Sequence, residues 1–250
     1  MNSFIKLSIV QLKIFLREPA AFFFTLVFPV LLLVLFGVIW GNEPAPPGTP
    51  FYLGGFGYVD YAVPALAALV IGTTALMSIP VATATAREQK ILRRFKATPL
   101  HPLVYIASDV VIYFAVSLIG MILLIIVGLV AFDLRFGGNW LAVLGAFTLS
   151  ALAFIASGYL IAGLAPTARI AQVVGQLVYF PMMFLSGAAV PLQLMPDAVR
   201  NAAELLPMTM MVRLLQDLWF GNGWYVTGIL FMVVLLVVGT ILSARTFRWE

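Results

Sequence analysis

Few side chains in this sequence can do chemistry, and they fall into distinct groups. There is no cysteine, which excludes a thiolate nucleophile, a disulfide framework and a thiolate metal site. The one histidine, His101, lies in a loop between Pro99 and Pro102 and is a poor nucleus for a metal site. No Gly-x-x-x-x-Gly-Lys-Ser/Thr loop is present, so ATP is not bound by that route. No nucleophile–base pair of the kind a membrane-embedded enzyme needs can be picked out. What remains is a run of charge, Arg87, Glu88, Lys90, Arg93, Arg94 and Lys96, interleaved with Leu92 and Phe95. A smaller basic set, Lys6, Lys13 and Arg17, falls within about 40° on a helical wheel. Neutral polar groups lie inside apolar stretches: Thr73, Thr74 and Ser78, then Gln172 and Gln176 one turn apart. Such groups either hydrogen-bond helix to helix or line a path for a large, mostly apolar solute. Asp109 is the exceptional carboxylate close to an apolar run, near enough to one end to reach interfacial water.

The elements that must position these residues are membrane helices. Of 250 residues, 63% are hydrophobic and 10% charged, against about 25% charged in a soluble domain. A bilayer crossing takes about 20 apolar residues. Six stretches qualify, trimmed at turn residues to 20–40, 61–84, 106–131, 140–164, 171–189 and 224–244. Barrel strands are excluded by their length, so the fold class is an all-α membrane protein. The first long apolar stretch does not read as a cleaved signal. With the N-terminus inside, 11 of the 14 Lys and Arg residues fall in cytoplasmic segments, and Arg135, Arg200 and Arg213 fall outside. The outer segments carry Glu43, Asp60, Asp133, Asp197, Glu204 and Asp217 instead. The positive-inside rule therefore predicts both termini in the cytoplasm.

Between the spans, residues 3–17 predict an interfacial helix ended by Pro19, with its basic stripe toward phosphates or a protein partner. Residues 41–60 are too rich in proline and glycine for a long helix. Residues 86–103 form the largest cytoplasmic loop. Its basic residues serve as a topology signal, but Leu92 and Phe95 add an apolar contact that such a signal does not need. Residues 190–223 divide at Pro191, Pro196 and Pro207 into two short helices, 197–206 and 208–219, that dip partly into the outer leaflet. Small residues spaced by four, such as Ala142, Ala146 and Ser150, or Gly158 and Ala162, mark close-packing faces.

Four segments, in order, resemble the membrane-spanning subunits of ABC type-2 exporters, the group that includes daunorubicin-type drug permeases. They are Phe15-Leu16-Arg17-Glu18-Pro19 running on to Phe28-Pro29, and the loop from Arg87 to Pro99. Then come Phe184-Leu185-Ser186-Gly187 with Pro191, Pro196 and Leu205-Leu206-Pro207-Met208-Thr209, and the ending Arg245-Thr246-Phe247-Arg248-Trp249. The loop departs from the family at Gln89-Lys90-Ile91, where a glycine-containing stretch is commoner.

The resemblance implies a single transmembrane domain over 1–250. Residues 1–19, with Lys6, Lys13 and Arg17, would be the connecting helix. The loop 86–103 would be a coupling helix docking into a separate ATPase through Arg87, Glu88, Leu92, Arg93, Arg94 and Phe95. The turn 165–170 would be a second contact, and 190–223 the re-entrant helices capping the exit. Two permease chains, identical or related, and two cytoplasmic ABC ATPases would form the pump in the plasma membrane of a prokaryote, in contact with lipid and with no nucleic acid. Spans 2 and 5 would face the path, with Thr73, Thr74, Ser78, Gln172 and Gln176 along it. ATP and magnesium would belong to the ATPase, and no cofactor to this chain. The implied activity is outward transport of a hydrophobic or amphipathic substrate, a drug or lipid. Export of a lipid-linked polysaccharide is the rival within transport. An ion-coupled carrier or channel is the rival of another class, although the spans lack midplane charges and any known selectivity filter. A membrane scaffold without transport is the third.

Overall fold

The computed structural model describes residues 3–47, 55–92, 102–189, 192 and 195–246. Among the described residues the secondary structure is helical. Helix α1 (Ser3–Leu16) precedes six helices long and apolar enough to cross a membrane. These are α2 (Pro19–Trp40), α3 (Tyr58–Glu88), α4 (Pro102–Phe132), α5 (Trp140–Leu164), α6 (Ala168–Leu185) and α9 (Val226–Thr246). Between the last two lie α7 (Asp197–Ala203) and α8 (Pro207–Phe220). The predicted spans correspond one for one, but α3 runs four residues further, to Glu88, and α6 stops at Leu185 instead of 189. Pro207 opens α8 at its first turn, where its missing N–H costs nothing.

Helix α3 is the axis of the bundle. In its most apolar stretch 94% of residues are buried, against 22% in α6 and 17% in α9. Helices α2, α4, α5, α6 and α8 pack on it, with α8 burying Met208, Met211, Leu215 and Trp219, while α9 packs on α5 and α8, and α1 on α4. The outer faces of the bundle are apolar, with Leu35 and Ile39 exposed on α2, Leu177 and Phe184 on α6, and Leu230 and Val234 on α9, which suits lipid or a second apolar surface but not water.

Two π turns break α2 and α3 at the same place relative to a proline. Phe23–Val27 ends two residues before Pro29, and Thr74–Ser78 ends two residues before Pro80. A proline inside a helix removes an N–H and crowds the carbonyl four residues back, and a widened turn absorbs the clash. In α3 the widened turn brings its carbonyls close to its neighbours. A Cβ on Gly158 would sit 2.0 Å from the Ala75 oxygen, and one on Gly175 2.2 Å from the Leu76 oxygen. Only glycine lets α5 and α6 approach α3 there, which gives the predicted small-residue face at 158 a specific partner.

Helix α1 is not a simple two-faced surface helix. Leu7 and Phe15 are buried against the bundle, where α1 packs on α4. Lys6, Lys13 and Arg17 are exposed, and so are Ile5, Ile9 and Leu16. It therefore has an inner apolar contact and an outer apolar face, with the basic residues exposed along it.

Candidate functional site

The two ends of the bundle differ in charge: Arg87, Arg169 and Arg245 lie at one, and Asp60, Asp133, Asp197 and Asp217 at the other. At the basic end, Arg87 and Glu88 finish α3 and turn toward this same chain. The Arg87 guanidinium donates to the Ala162 carbonyl at 3.1 Å and to the Ala165 carbonyl. These are last-turn carbonyls of α5, left without helical N–H partners. Glu88 Oε1 accepts from the Ala168 N–H at 3.0 Å, one of the unpaired donors that open α6, and Thr167 Oγ1 accepts from Ile170 N at 3.2 Å. Two adjacent side chains thus clamp the 165–170 turn to the end of α3. Leu92 is fully buried just beyond, after Gln89 and Lys90 break the helix. Lys90 adopts φ +58°, in the left-handed region that favours glycine. Arg93, Arg94, Phe95, Lys96 and His101 lie outside the described residues, as do Phe247, Arg248 and Trp249.

Four of the five neutral polar residues share one pocket of about 200 Å³ between α2, α3 and α6. Thr73, Ser78, Gln172 and Gln176 line it, together with Met77 and Glu18. Thr73 exchanges a hydrogen bond of 2.7 Å with the hydroxyl of Tyr179 on α6. Thr74 is not brought to this pocket: it is buried and donates to the Val70 carbonyl of its own helix at 2.8 Å. A larger cavity of about 460 Å³ opens beneath α1, between α3 and α4, and Glu18 borders both. Asp109 lines the larger one, is 3% exposed, and accepts from the Tyr159 hydroxyl at 2.6 Å.

The acidic end is knotted. Asp60, in the first turn of α3, is fully buried. Its Oδ2 accepts from Gly57 N at 2.9 Å, reaching back over the helix start. Its Oδ1 accepts from Arg135 N at 2.7 Å and from Asn42 Nδ2 at 2.9 Å. Asn42 returns the contact through Oδ1, which accepts from Asp60 N at 3.1 Å, and donates to the Phe132 carbonyl at 2.9 Å. Trp219 on α8 then donates to the Arg135 carbonyl at 3.1 Å, while the Trp219 carbonyl accepts from Gly137 N at 3.2 Å. The link between α2 and α3, the link between α4 and α5, and α8 are so tied into one unit. On the adjoining surface Arg213 donates to Glu204 at 2.7 Å, and that hydrogen bond and the guanidinium charge hold the Glu204 carboxyl below its usual range.

Sequence reasoning assigned Asp60 to the outer charge tally only and gave no role to Glu18, Asn42 or Tyr159. A carboxylate at the third position of a long apolar helix was the available signal for Asp60. For Glu18, Asn42 and Tyr159 no local signal existed, because their partners lie far along the chain. Among the described residues no cluster of three His, Asp or Glu side chains could hold a metal ion.

Residues 3–220 match the model of the family described as ABC-2 type transporter. Nodulation protein J of Bradyrhizobium diazoefficiens is 34% identical over 100 residues, which are 39% of this chain and 38% of the relative. Nodulation protein J of Rhizobium leguminosarum bv. viciae is 33% identical over 128 residues, 48% of this chain and 49% of the relative. The chain thus spans half or less of the curated relatives it matches. With a family match over residues 3–220 and six helices long and apolar enough to cross a membrane, the chain belongs to the ABC-2 type transporter membrane proteins.

Proposed function

We propose that this chain is the permease half of an ATP-driven exporter that moves an amphipathic substrate outward, with its basic end and both termini in the cytoplasm. Membership of the family implies an ABC ATPase partner, and in this reading two ATPases drive two permease chains. The observation that carries the reading is convergence: Thr73, Ser78, Gln172 and Gln176, nearly a hundred residues apart in sequence, meet in one pocket beside Glu18, the residue that precedes α2. A scaffold has no need of such a pocket. The pocket lies on the side of α3 toward the exposed faces of α2 and α6, where a second chain would complete it.

Force from ATP would arrive at 86–103. Because Arg87 and Glu88 are engaged within the chain and Leu92, expected from the sequence to dock, is buried in it, docking falls to Arg93, Arg94 and Phe95. The clamp then makes the 165–170 turn move with that loop. The acidic-end unit, with α7 and α8 as re-entrant helices, would be the exit cap.

The test is co-reconstitution with its partner ABC ATPase. ATP-dependent, vanadate-sensitive movement of an amphipathic probe, lost in Arg94→Glu together with ATPase association, is the expected result. Transport that runs equally without the ATPase would sink the reading in favour of a carrier or channel. Single cysteines introduced at Asn2 and at Asn222 report orientation without background, since the chain has none of its own. The first should be shielded from an impermeant thiol reagent in intact cells and the second labelled.

A further inference from the structure

The cavity beneath α1 is larger than the polar pocket and differs from it in charge. It measures about 460 Å³, inside the range of small-molecule sites. Leu7, Val10 and Ile14 of α1 form an apolar wall on one side. Facing them are Asp109 of α4 and Thr83 of α3, each 3% exposed. The Thr83 hydroxyl has no hydrogen-bond partner among the described residues. Asp109 has one, Tyr159, on a single carboxylate oxygen. Glu18 contributes a second carboxylate at the rim, and no Lys or Arg is among the described lining residues. A chamber with an apolar wall on α1 and a polar floor that includes Gln11 and Tyr105, two carboxylates and an unpaired hydroxyl, with no cation among its described lining, is complementary to a positively charged donor on an apolar chain. A buried carboxylate with one neutral partner gains most from that kind of ligand.

Glu18 and Val81 line both this cavity and the Thr73–Gln176 pocket. The two spaces therefore share a wall whose polar member is a carboxylate. We propose that the cavity beneath α1 binds the ammonium head of a long-chain amine between Asp109 and Thr83, its alkyl chain lying against Leu7, Val10 and Ile14. We propose further that Glu18 passes the head to the polar pocket. The binding step rests on the cavity alone, and the hand-over rests on the transport reading above. The amine gains access from the leaflet in which α1 lies, which explains why α1 keeps a gap under its length while its Leu7 and Phe15 anchor it at two points.

The experiment uses the purified full chain in zwitterionic lipid nanodiscs, without ATPase, and hexadecylamine carrying a nitroxide on its chain. Saturable immobilisation of the label is expected. Unlabelled hexadecylamine should compete, and N-acetylhexadecylamine and hexadecanoic acid should not. Asp109→Asn, which can still accept from Tyr159, should weaken binding about ten-fold. Thr83→Val should weaken it about three-fold. Val10→Trp, which fills the mouth from an exposed position, should abolish it and covers the case in which Asp109→Asn does not fold. Equal competition by the acetylated analogue, or unchanged binding in Thr83→Val and Val10→Trp, overturns the site. Saturable amine binding without any ATP-driven transport keeps the site and overturns the transport reading. ATP-driven transport without amine binding does the reverse.

Discussion

Two buried carboxylates mark the two ends of the bundle, and their surroundings are opposite. Asp60 takes three N–H donors from three separate segments and is fully buried. Asp109 takes one hydroxyl and borders a space of about 460 Å³. A carboxylate has about four lone-pair sites to fill. At the acidic end the chain fills three of them itself, which turns a costly buried charge into a brace. At the basic end it leaves most of them to something else. The same contrast runs through each end as a whole. Trp219, Arg135 and Asn42 lock one end, whereas the other holds several cavities and a clamp of two side chains.

The strongest way to break the comparison is to make the same substitution at both carboxylates. Whichever oxygen of Asp60 becomes an amide nitrogen in Asp60→Asn, at least one N–H among Gly57, Asn42 and Arg135 then faces another donor. That should cost roughly 3 kcal/mol and lower the thermal unfolding midpoint in detergent clearly. Asp109→Asn keeps an acceptor for Tyr159 and should stay within about 1 kcal/mol of the parent. Equal losses at the two positions would show that Asp109 is as much a structural brace as Asp60.

A smaller effect is expected from Arg87→Ala. It uncovers the Ala162 and Ala165 carbonyls, half-buried at the end of α5, at a cost of about 1 to 2 kcal/mol. Its more diagnostic consequence is mechanical. Spin labels at 86 and 168 should show a broadened distance distribution in Arg87→Ala and a nearly unchanged one in Glu88→Gln, which keeps an oxygen for the Ala168 N–H. A sharp distribution in both variants would mean the turn is held by packing, and the clamp would not transmit motion.

The amount legible in the sequence follows from the range of each interaction. Spans, the short helices of 190–223 and the charge asymmetry are local properties of composition and proline placement, and all three could be read. The family resemblance implied only that spans 2 and 5 face a path; that Thr73, Ser78, Gln172 and Gln176 share one pocket while Thr74 bonds its own helix depends on helix rotation that the sequence does not show. The roles of Arg87 and Glu88 could not be read either. A basic residue at a helix end looks the same whether its guanidinium meets a partner or the Ala165 carbonyl 78 residues away. The π turns were also hidden, because a proline in a membrane helix signals a kink without saying how the backbone absorbs it. The axial place of α3 was invisible as well: its hydropathy of 2.0 is below the 3.0 of α4, although α3 is by far the more buried. In a bilayer, hydropathy reports lipid contact as readily as burial.

The finest test lies in the backbone. Each end has one non-glycine residue at positive φ among the described residues, Asp133 at +50° and Lys90 at +58°. Asp enters this region readily, since its short polar side chain bonds locally, and Lys does so less well. The Asp133 carbonyl is also held by Asn42 at 3.4 Å within the acidic-end knot. Glycine removes the Cβ strain at either site but adds unfolded-state freedom, a cost of roughly 0.5 to 1 kcal/mol. For Lys90→Gly the relieved strain should exceed that cost, with a net gain of about 0.5 kcal/mol. For Asp133→Gly it should not, with a loss of similar size. Lys90→Val, β-branched at positive φ, should lose more than about 1 kcal/mol. Denaturant titration of the three variants in one detergent decides the matter. Opposite signs at 90 and 133 would show that the turn leading into the coupling loop carries strain that the braced end does not. A loss in Lys90→Gly would mean that the lysine side chain itself is held there, and the turn would then be another fixed point of the basic end.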